Sequence, residues 1–192
     1  MKKIHCIILL IFILNVNLFS QNKDINTLAD EAIKSFTWDI QRTEKGALMF
    51  LDVPYKQDNK NELEYLSITI AKSKYKNRPD FISVIIPNNI VQSNGILIKF
   101  AKSVKLKNGE RSIDLGKENP SRINFEKCGK ADCTARIIDG YVFDKRNGKK
   151  EDIYQKFFEY DFVLFLFVCS DGSNKSISVP LFSFKKQYET LL

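Results

Sequence analysis

The feature that most restricts the fold of this chain is a succession of short apolar segments, each separated from the next by a turn signal. From Trp38 onward, apolar residues recur at about every second position, and Pro, Gly or pairs such as Asn94-Gly95 interrupt them. Alternation of this kind is typical of β-strands with one buried face. Residues 162–169 (FVLFLFVC) are apolar throughout, which predicts a central strand covered on both faces. The predicted strands are residues 37–42, 47–53, 63–71, 81–86, 96–101, 122–128, 134–138, 162–169 and 176–182.

Helical spacing of apolar residues is confined to three short segments. Residues 21–36 predict an amphipathic helix, residues 151–158 predict a second, and the last residues from Phe184 onward predict a third. Many short strands with helices only at the edges favour a mainly β fold. We therefore expect one domain over residues 37–192, a β-sandwich or barrel-like arrangement of antiparallel sheets. Its short helices are expected at the N-terminus, before the last hairpin and at the C-terminus.

The first twenty residues have the composition of a secretory signal peptide. Lys2 and Lys3 provide a basic start, residues 7–14 (IILLIFIL) are wholly apolar, and Asn15 and Asn17 interrupt the run before Leu18-Phe19-Ser20. The apolar run is shorter than the roughly 20 residues needed to cross a bilayer. The pattern predicts a signal peptide over residues 1–20, cleaved near Ser20, and a periplasmic or secreted protein. An uncleaved membrane anchor is the alternative.

The pattern of reactive side chains indicates no particular chemistry. The chain has one histidine, His5, which lies inside the predicted signal peptide, so the mature protein has no imidazole for triad or zinc chemistry. Carboxylate pairs could be drawn from Glu62 and Glu64 or from Glu151 and Asp152, but each pair lies in a polar turn or at a predicted helix start. We therefore assign no catalytic residue, no cofactor and no metal ligand. The alternative is a histidine-free carboxylate hydrolase that acts on envelope glycan.

The basic residues are spread along the chain and interleaved with acidic ones. The formal charge of +7 falls to +5 when Lys2 and Lys3 are removed with the signal peptide. The densest cluster is Lys72, Lys74, Lys76 and Arg78. A solvated surface explains such a cluster most simply, and peripheral contact with anionic lipid or glycan is the alternative. No nucleic-acid partner is expected, because no recognition motif is present.

Three cysteines remain once Cys6 is removed with the signal peptide. An oxidising compartment favours a disulfide, and of the three pairings, Cys128 with Cys133 has the local geometry in its favour. Such a small ring would stabilise the fold by about 2 kcal/mol and hold the turn between the two residues in one shape. Cys169 is then the odd thiol. It is either buried as a small apolar side chain or available to link two copies of the chain as a homodimer.

Residues 125–138 (FEKCGKADCTARII) carry the most distinctive pattern, a Cys-x-x-x-x-Cys turn with an Ala soon after the second Cys. Taken with residues 81–87 (FISVIIP), the ILIKF strand after Gly95, and the closing segment 177–184 (ISVPLFSF), this order of motifs resembles the invasion-associated locus B family of exported bacterial proteins. The resemblance runs from Trp38 to Leu191.

The resemblance implies an exported, β-rich, non-enzymatic protein of the bacterial envelope. In some pathogens such proteins are linked to the invasion of host cells, so a binding or accessory role with a protein, glycan or envelope partner is expected. The chain departs from the family in several places, one of which is an insertion of polar turn residues over Asp144–Asp152. It lacks the additional cysteine pair that usually follows the early Trp, and a Lys (Lys185 or Lys186) replaces the Gly of the closing segment. The chain would be a divergent member.

Overall fold

The fold is described from a computed structural model, which covers residues 37–56, 63–105, 111–144 and 148–191. The predicted signal peptide (1–20) and N-terminal helix (21–36) lie outside the described residues. The strands are β1 (Asp39–Thr43), β2 (Gly46–Lys56), β3 (Leu63–Ser73), β4 (Phe81–Pro87), β5 (Ile96–Lys105), β6 (Arg111–Asp114), β7 (Ser121–Ile123), β8 (Phe125–Cys128), β9 (Asp132–Ile138), β10 (Tyr141–Asp144), β11 (Lys149–Asp152), β12 (Phe162–Val168) and β13 (Asn174–Pro180). Within these residues the helices are α1 (Ile153–Glu159) and α2 (Phe184–Glu189), and a 3-10 turn precedes β5.

Six strands form one antiparallel sheet in the order β1-β2-β3-β4-β9-β8. The long strands β2 and β3 pair along their whole length, from Gly46 opposite Ser73 to Lys56 opposite Leu63. Alternate residues of β2 and β3 are buried, since successive side chains of a strand point to opposite faces. The sheet therefore has one core face, and its two ends are separated by the full length of β2.

The second sheet has the order β13-β12-β5-β6, and β7 also pairs with β5. Its inner face is fully buried and carries Ile98 on β5 together with Val163 and Phe165 on β12. Strands β10 and β11 form a third, two-stranded sheet. The first two sheets share one core, in which the Tyr55 ring of β2 packs edge-on against Phe167 of β12 at 5.6 Å between centroids. Strand β12 is central, as predicted. The prediction that both of its faces are covered is wrong, because Leu164, Leu166 and Val168 on the outer face are half-exposed and this face lines a groove of about 390 Å³.

The two helices pack aromatic side chains into the core. Phe157 of α1 and Phe184 of α2 are buried and lie 4.8 Å apart between ring centroids, and Trp38 packs edge-on against Phe184. The side chain of Asp152 accepts a hydrogen bond from the Gln155 amide and so caps the start of α1. The predicted fold class is confirmed: the protein is mainly β, with antiparallel sheets, one of them curled into a half-barrel, and a few short helices.

One predicted strand is wrong, and three short strands are additional to the predicted ones. Residues 122–128 do not form one strand, because the chain passes from the second sheet to the first at Asn124; β7 pairs with β5 and β8 pairs with β9. Gly95 permits this crossing, since a Cβ there would lie 2.4 Å from the Ile123 carbonyl oxygen. Strands β6, β10 and β11 have no counterpart among the predicted strands. Each is four residues long, and none carries a longer apolar alternation.

Candidate functional site

The most distinctive local structure is the hairpin between β8 and β9, which a disulfide closes. Cys128 and Cys133 lie directly opposite each other in the register, with their Cα atoms 4.0 Å apart, and the two sulfurs are bonded. The Gly129 amide donates a hydrogen bond of 2.7 Å to the Asp132 carbonyl, which tightens the turn. Cys133 is fully buried while Cys128 is half-exposed. The predicted pair is therefore present, and it brings the turn to one end of the six-stranded sheet.

Asn88, in the connection from β4 to β5, fixes this turn to the rest of the fold. Its side-chain amide donates a hydrogen bond of 2.5 Å to the Gly129 carbonyl, and its backbone amide donates one of 2.9 Å to the Ala131 carbonyl. The side-chain oxygen of Asn88 also accepts a hydrogen bond of 2.7 Å from Gln92. The disulfide thus closes the turn within the hairpin, and the hydrogen bonds of Asn88 attach the turn to the β4–β5 connection. Strand β4 ends at Pro87, so Asn88 lies outside the apolar alternation that marks the strand. The sequence pattern therefore gave no sign of its contacts.

The next residue, Asn89, joins the same connection to strand β3. Its side-chain nitrogen lies 2.6 and 2.7 Å from the two carboxylate oxygens of Glu64. Glu64 is opposite Tyr55 in the register, and burial together with the Glu64 charge raises the pKa of the Tyr55 hydroxyl well above its usual value. Glu64, one of the carboxylates considered for catalysis, is therefore engaged with an amide, while Glu62 lies outside the described residues.

Cys169 lies in the core beneath this end of the protein. It is fully buried, it bridges to Ile90, and its backbone amide donates a hydrogen bond of 2.8 Å to the Ser173 carbonyl. A disulfide from Cys169 to a second copy would require the end of β12 to open. The dimer through Cys169 stays a prediction.

The surface above these contacts combines an exposed aromatic ring with lysines. Tyr65 is 47% exposed, and Lys127 and Lys130 are exposed on and beside β8. Asp132 pairs with Pro87, and continuing the β3–β4 register places Tyr65 opposite Pro87. Two strand spacings separate Tyr65 from Asp132, a distance of about 10 Å. We call this surface, defined by Tyr65, Lys127, Gly129 and Lys130, the disulfide end.

A second polar cluster surrounds Lys156 on α1. The Lys156 ammonium lies 2.6 Å from a Glu118 oxygen and also forms an ion pair with Glu151, whose other oxygen accepts a hydrogen bond from Ser121. Burial lowers the pKa of Lys156, but the hydrogen bonds to Glu118 and Glu151 outweigh it and raise that pKa above the usual value. Of its members, the sequence pattern had pointed only to Glu151, because the cluster joins two stretches of the chain, 118–121 and 151–156, whose Ser121 and Glu151 are 30 residues apart.

Two carboxylates do meet here, yet the arrangement is not that of a glycosidase. The Lys156 ammonium lies between Glu118 and Glu151 and forms an ion pair with each, whereas glycoside hydrolysis needs one proton-donating and one ionised carboxyl group facing the sugar. The adjoining cavity is about 30 Å³, which accommodates a water molecule and not a sugar ring. Asp152, the other carboxylate considered, caps α1. Lys156 thus connects α1 to β11 through Glu151 and to the segment before β7 through Glu118.

The described residues contain neither a group of metal ligands nor a membrane-spanning helix. Within the described segments of the chain, no group of three or more His, Cys, Asp or Glu side chains could hold a metal ion. No helix in those same segments is long and apolar enough to cross a membrane. Comparison with known proteins gives no match: no family model, no curated protein and no solved structure matches the chain.

Proposed function

We propose that this chain is an exported, non-enzymatic binding or accessory protein of the bacterial envelope, of the invasion-associated locus B type, and that it engages its partner through the disulfide end. The motif order from Trp38 to Leu191 and the signal-like residues 1–20 support the export and the family assignment. The partner is a protein or glycan of the envelope or of a host-cell surface.

The observation that carries this proposal is an exposed aromatic ring and two lysines on a rigid support. Tyr65, Lys127 and Lys130 are exposed, and the turn beside them is held by the disulfide and by Asn88. Tyrosine supplies a large contact area with few rotatable bonds, so ordering it on binding costs little conformational entropy. A braced turn likewise avoids the cost of ordering a loop when the partner binds.

The test is affinity capture with the mature chain, residues 21–192, from detergent-solubilised envelope and host-membrane fractions. The informative variant is Tyr65→Ser combined with Lys130→Glu. Its matched control is Tyr75→Ser combined with Lys76→Glu, which makes the same changes at the opposite end of the six-stranded sheet. We expect the wild-type chain and the control to capture the same specific protein or glycan band. The Tyr65/Lys130 variant should capture roughly tenfold less of it, or lower still, because residues at the centre of an interface carry most of the binding free energy.

Equal capture by all three proteins would contradict a binding role for the disulfide end. Finding Met1 at the N-terminus of the protein recovered from the cell envelope or the medium would contradict cleavage near Ser20. Release of sugar from purified envelope glycan by the wild-type protein would instead support the hydrolase.

A further inference from the structure

The opposite end of the six-stranded sheet is formed by neighbouring turns that are hydrogen-bonded to one another. The β1–β2 turn meets the β3–β4 turn where the Lys74 amide donates to the Lys45 carbonyl at 3.1 Å, and the Lys74 ammonium donates to the Thr43 carbonyl at 3.2 Å. The β9–β10 turn joins them, because the Asp139 amide donates to the Asp80 carbonyl at 2.8 Å. The three turns therefore form one continuous surface.

This surface is basic. Lys45, Lys74, Lys76 and Arg78 are all exposed, and no carboxylate in the described parts of the chain forms an ion pair with any of them. The acidic side chains in the three turns are Glu44, Asp80 and Asp139; of these, Asp80 accepts a hydrogen bond of 2.8 Å from the Ser73 amide and is half-buried. The exposed cations thus outnumber the exposed acids.

Large apolar side chains are exposed among these cations. Tyr75 is 48% exposed and carries the Arg78 guanidinium 5.2 Å above its ring, and Ile138 is 54% exposed. Ile138 lies opposite Phe81 in the register, and Phe81 follows directly on Asp80. We call the surface defined by Lys45, Lys74, Tyr75, Lys76, Arg78 and Ile138 the basic end.

We propose that the basic end docks on the surface of an anionic phospholipid bilayer, with Tyr75 and Ile138 at the level of the headgroups. Lysine and arginine are attracted to anionic headgroups, and tyrosine is favoured at the boundary between water and lipid. The aliphatic Ile138 favours a bilayer over a nucleic acid as the partner. Transfer of an exposed isoleucine into the acyl boundary is favourable, whereas a phosphate backbone offers it no favourable contact.

Docking in this way leaves the disulfide end accessible. Strand β2 runs from one end of the sheet to the other over 11 residues. At about 3.3 Å per residue, the two ends are separated by about 30 Å. The inference is independent of the proposed function, since each end can be tested while the other is left unchanged.

The experiment is co-sedimentation of the mature chain with vesicles. One set contains equal parts of phosphatidylglycerol and phosphatidylcholine, and the other contains phosphatidylcholine alone. The test variants are Lys45→Gln with Lys76→Gln, and Tyr75→Ser. The matched controls at the disulfide end are Lys127→Gln with Lys130→Gln, and Tyr65→Ser, whose ring has nearly the same exposure as that of Tyr75.

We expect the wild-type protein to sediment with the anionic vesicles and not with the neutral ones. The Lys45/Lys76 variant should partition roughly 10- to 30-fold less, since each cation near an anionic bilayer contributes about fivefold. Tyr75→Ser should lower partitioning several-fold, and both controls should remain within about twofold of the wild type. Binding to the anionic vesicles should also weaken at about 1 M salt, where the Debye length falls to about 3 Å.

Three results would overturn the inference. The first is absence of co-sedimentation with anionic vesicles at low salt. The second is an equal loss in the Lys127/Lys130 control, which would show that total charge and not the basic end governs the binding. The third is binding to heparin or DNA that is as strong as the vesicle binding and unaffected by Tyr75→Ser, which would indicate a polyanion site in place of a bilayer contact.

Discussion

Replacing Asn89 by alanine tests the contact that joins the β4–β5 connection to strand β3. The Asn89 side-chain nitrogen lies within hydrogen-bonding distance of both oxygens of the half-buried Glu64 carboxylate. A hydrogen bond to a charged group contributes about 1.5–3 kcal/mol, and water can replace part of it at a half-exposed site. We therefore expect Asn89→Ala to lower the free energy of unfolding by about 2 kcal/mol.

Urea unfolding, followed by the fluorescence of Trp38, measures this loss. Trp38 is the single tryptophan and is only 3% exposed, so its emission reports unfolding of the whole domain. For a domain of this size, the dependence of the free energy of unfolding on urea concentration is about 2 kcal/mol per molar. The midpoint should then fall by about 1 M with an unchanged slope. The exposed Asn124→Ala serves as the control and should change the free energy by less than about 0.5 kcal/mol.

A double-mutant cycle with Glu64→Gln separates the Asn89–Glu64 contact from other effects. Both single variants and the double variant are unfolded in the same assay. If the contact carries the loss, the coupling free energy should be at least about 1 kcal/mol. A coupling near zero, or an Asn89→Ala variant within about 0.5 kcal/mol of the wild type, would refute this account of how the disulfide end is supported.

Three further perturbations probe other parts of the fold. Gly140 has φ 74° and a Cβ there would lie 2.0 Å from the Tyr154 ring, so Gly140→Ala should cost about 2–4 kcal/mol in urea unfolding; a loss under about 1 kcal/mol would contradict the close contact. Burial raises the pKa of Tyr188 to about 12 from the usual 10.0. As the pH rises, the Tyr188 hydroxyl therefore ionises first in the unfolded chain. Its contribution to the free energy of unfolding is complete below pH 10.0 and is lost as the pH rises toward 12. The loss is at most about 2 kcal/mol after solvent screening. Tyr188→Phe should give a flatter alkaline stability profile than the wild type, and an identical profile would show that the shift is absent. The double variant Cys128→Ser and Cys133→Ser should lose about 2 kcal/mol, the loop entropy of a small ring, and its stability should no longer respond to a reducing agent.

The long strands could be predicted from the sequence because one buried face imposes a period of two. In β2, Met49 and Val53 belong to that face, and the pattern places the strand within a few residues of its observed bounds. Strand β12 was placed in the centre by its apolar run, and it does pair on both sides. The half-exposed outer face of β12 could not be foreseen, since sequence does not show whether a second layer covers an apolar face.

The short strands and the polar contacts were not predictable for a different reason. Strand β11 has the sequence KKED and is a strand only because β10 lies beside it, so tertiary pairing overrides its local preference. The change of sheet at Asn124 likewise depends on which strands flank it. The disulfide could be predicted because its two cysteines are close in sequence, whereas Asn88 reaches Gly129 across 41 residues. Contacts of that separation follow from the fold and leave no periodic signal.

The proposed binding role requires a processed, oxidised protein with a braced disulfide end. Non-reducing mass spectrometry of the protein recovered from the periplasm or the medium measures both features at once. We predict an N-terminus close to Gln21, one peptide pair linked through Cys128 and Cys133, and a Cys169 thiol that reacts with alkylating agents only after unfolding. A chain that begins at Met1, or Cys128 and Cys133 recovered as reduced thiols, would contradict it.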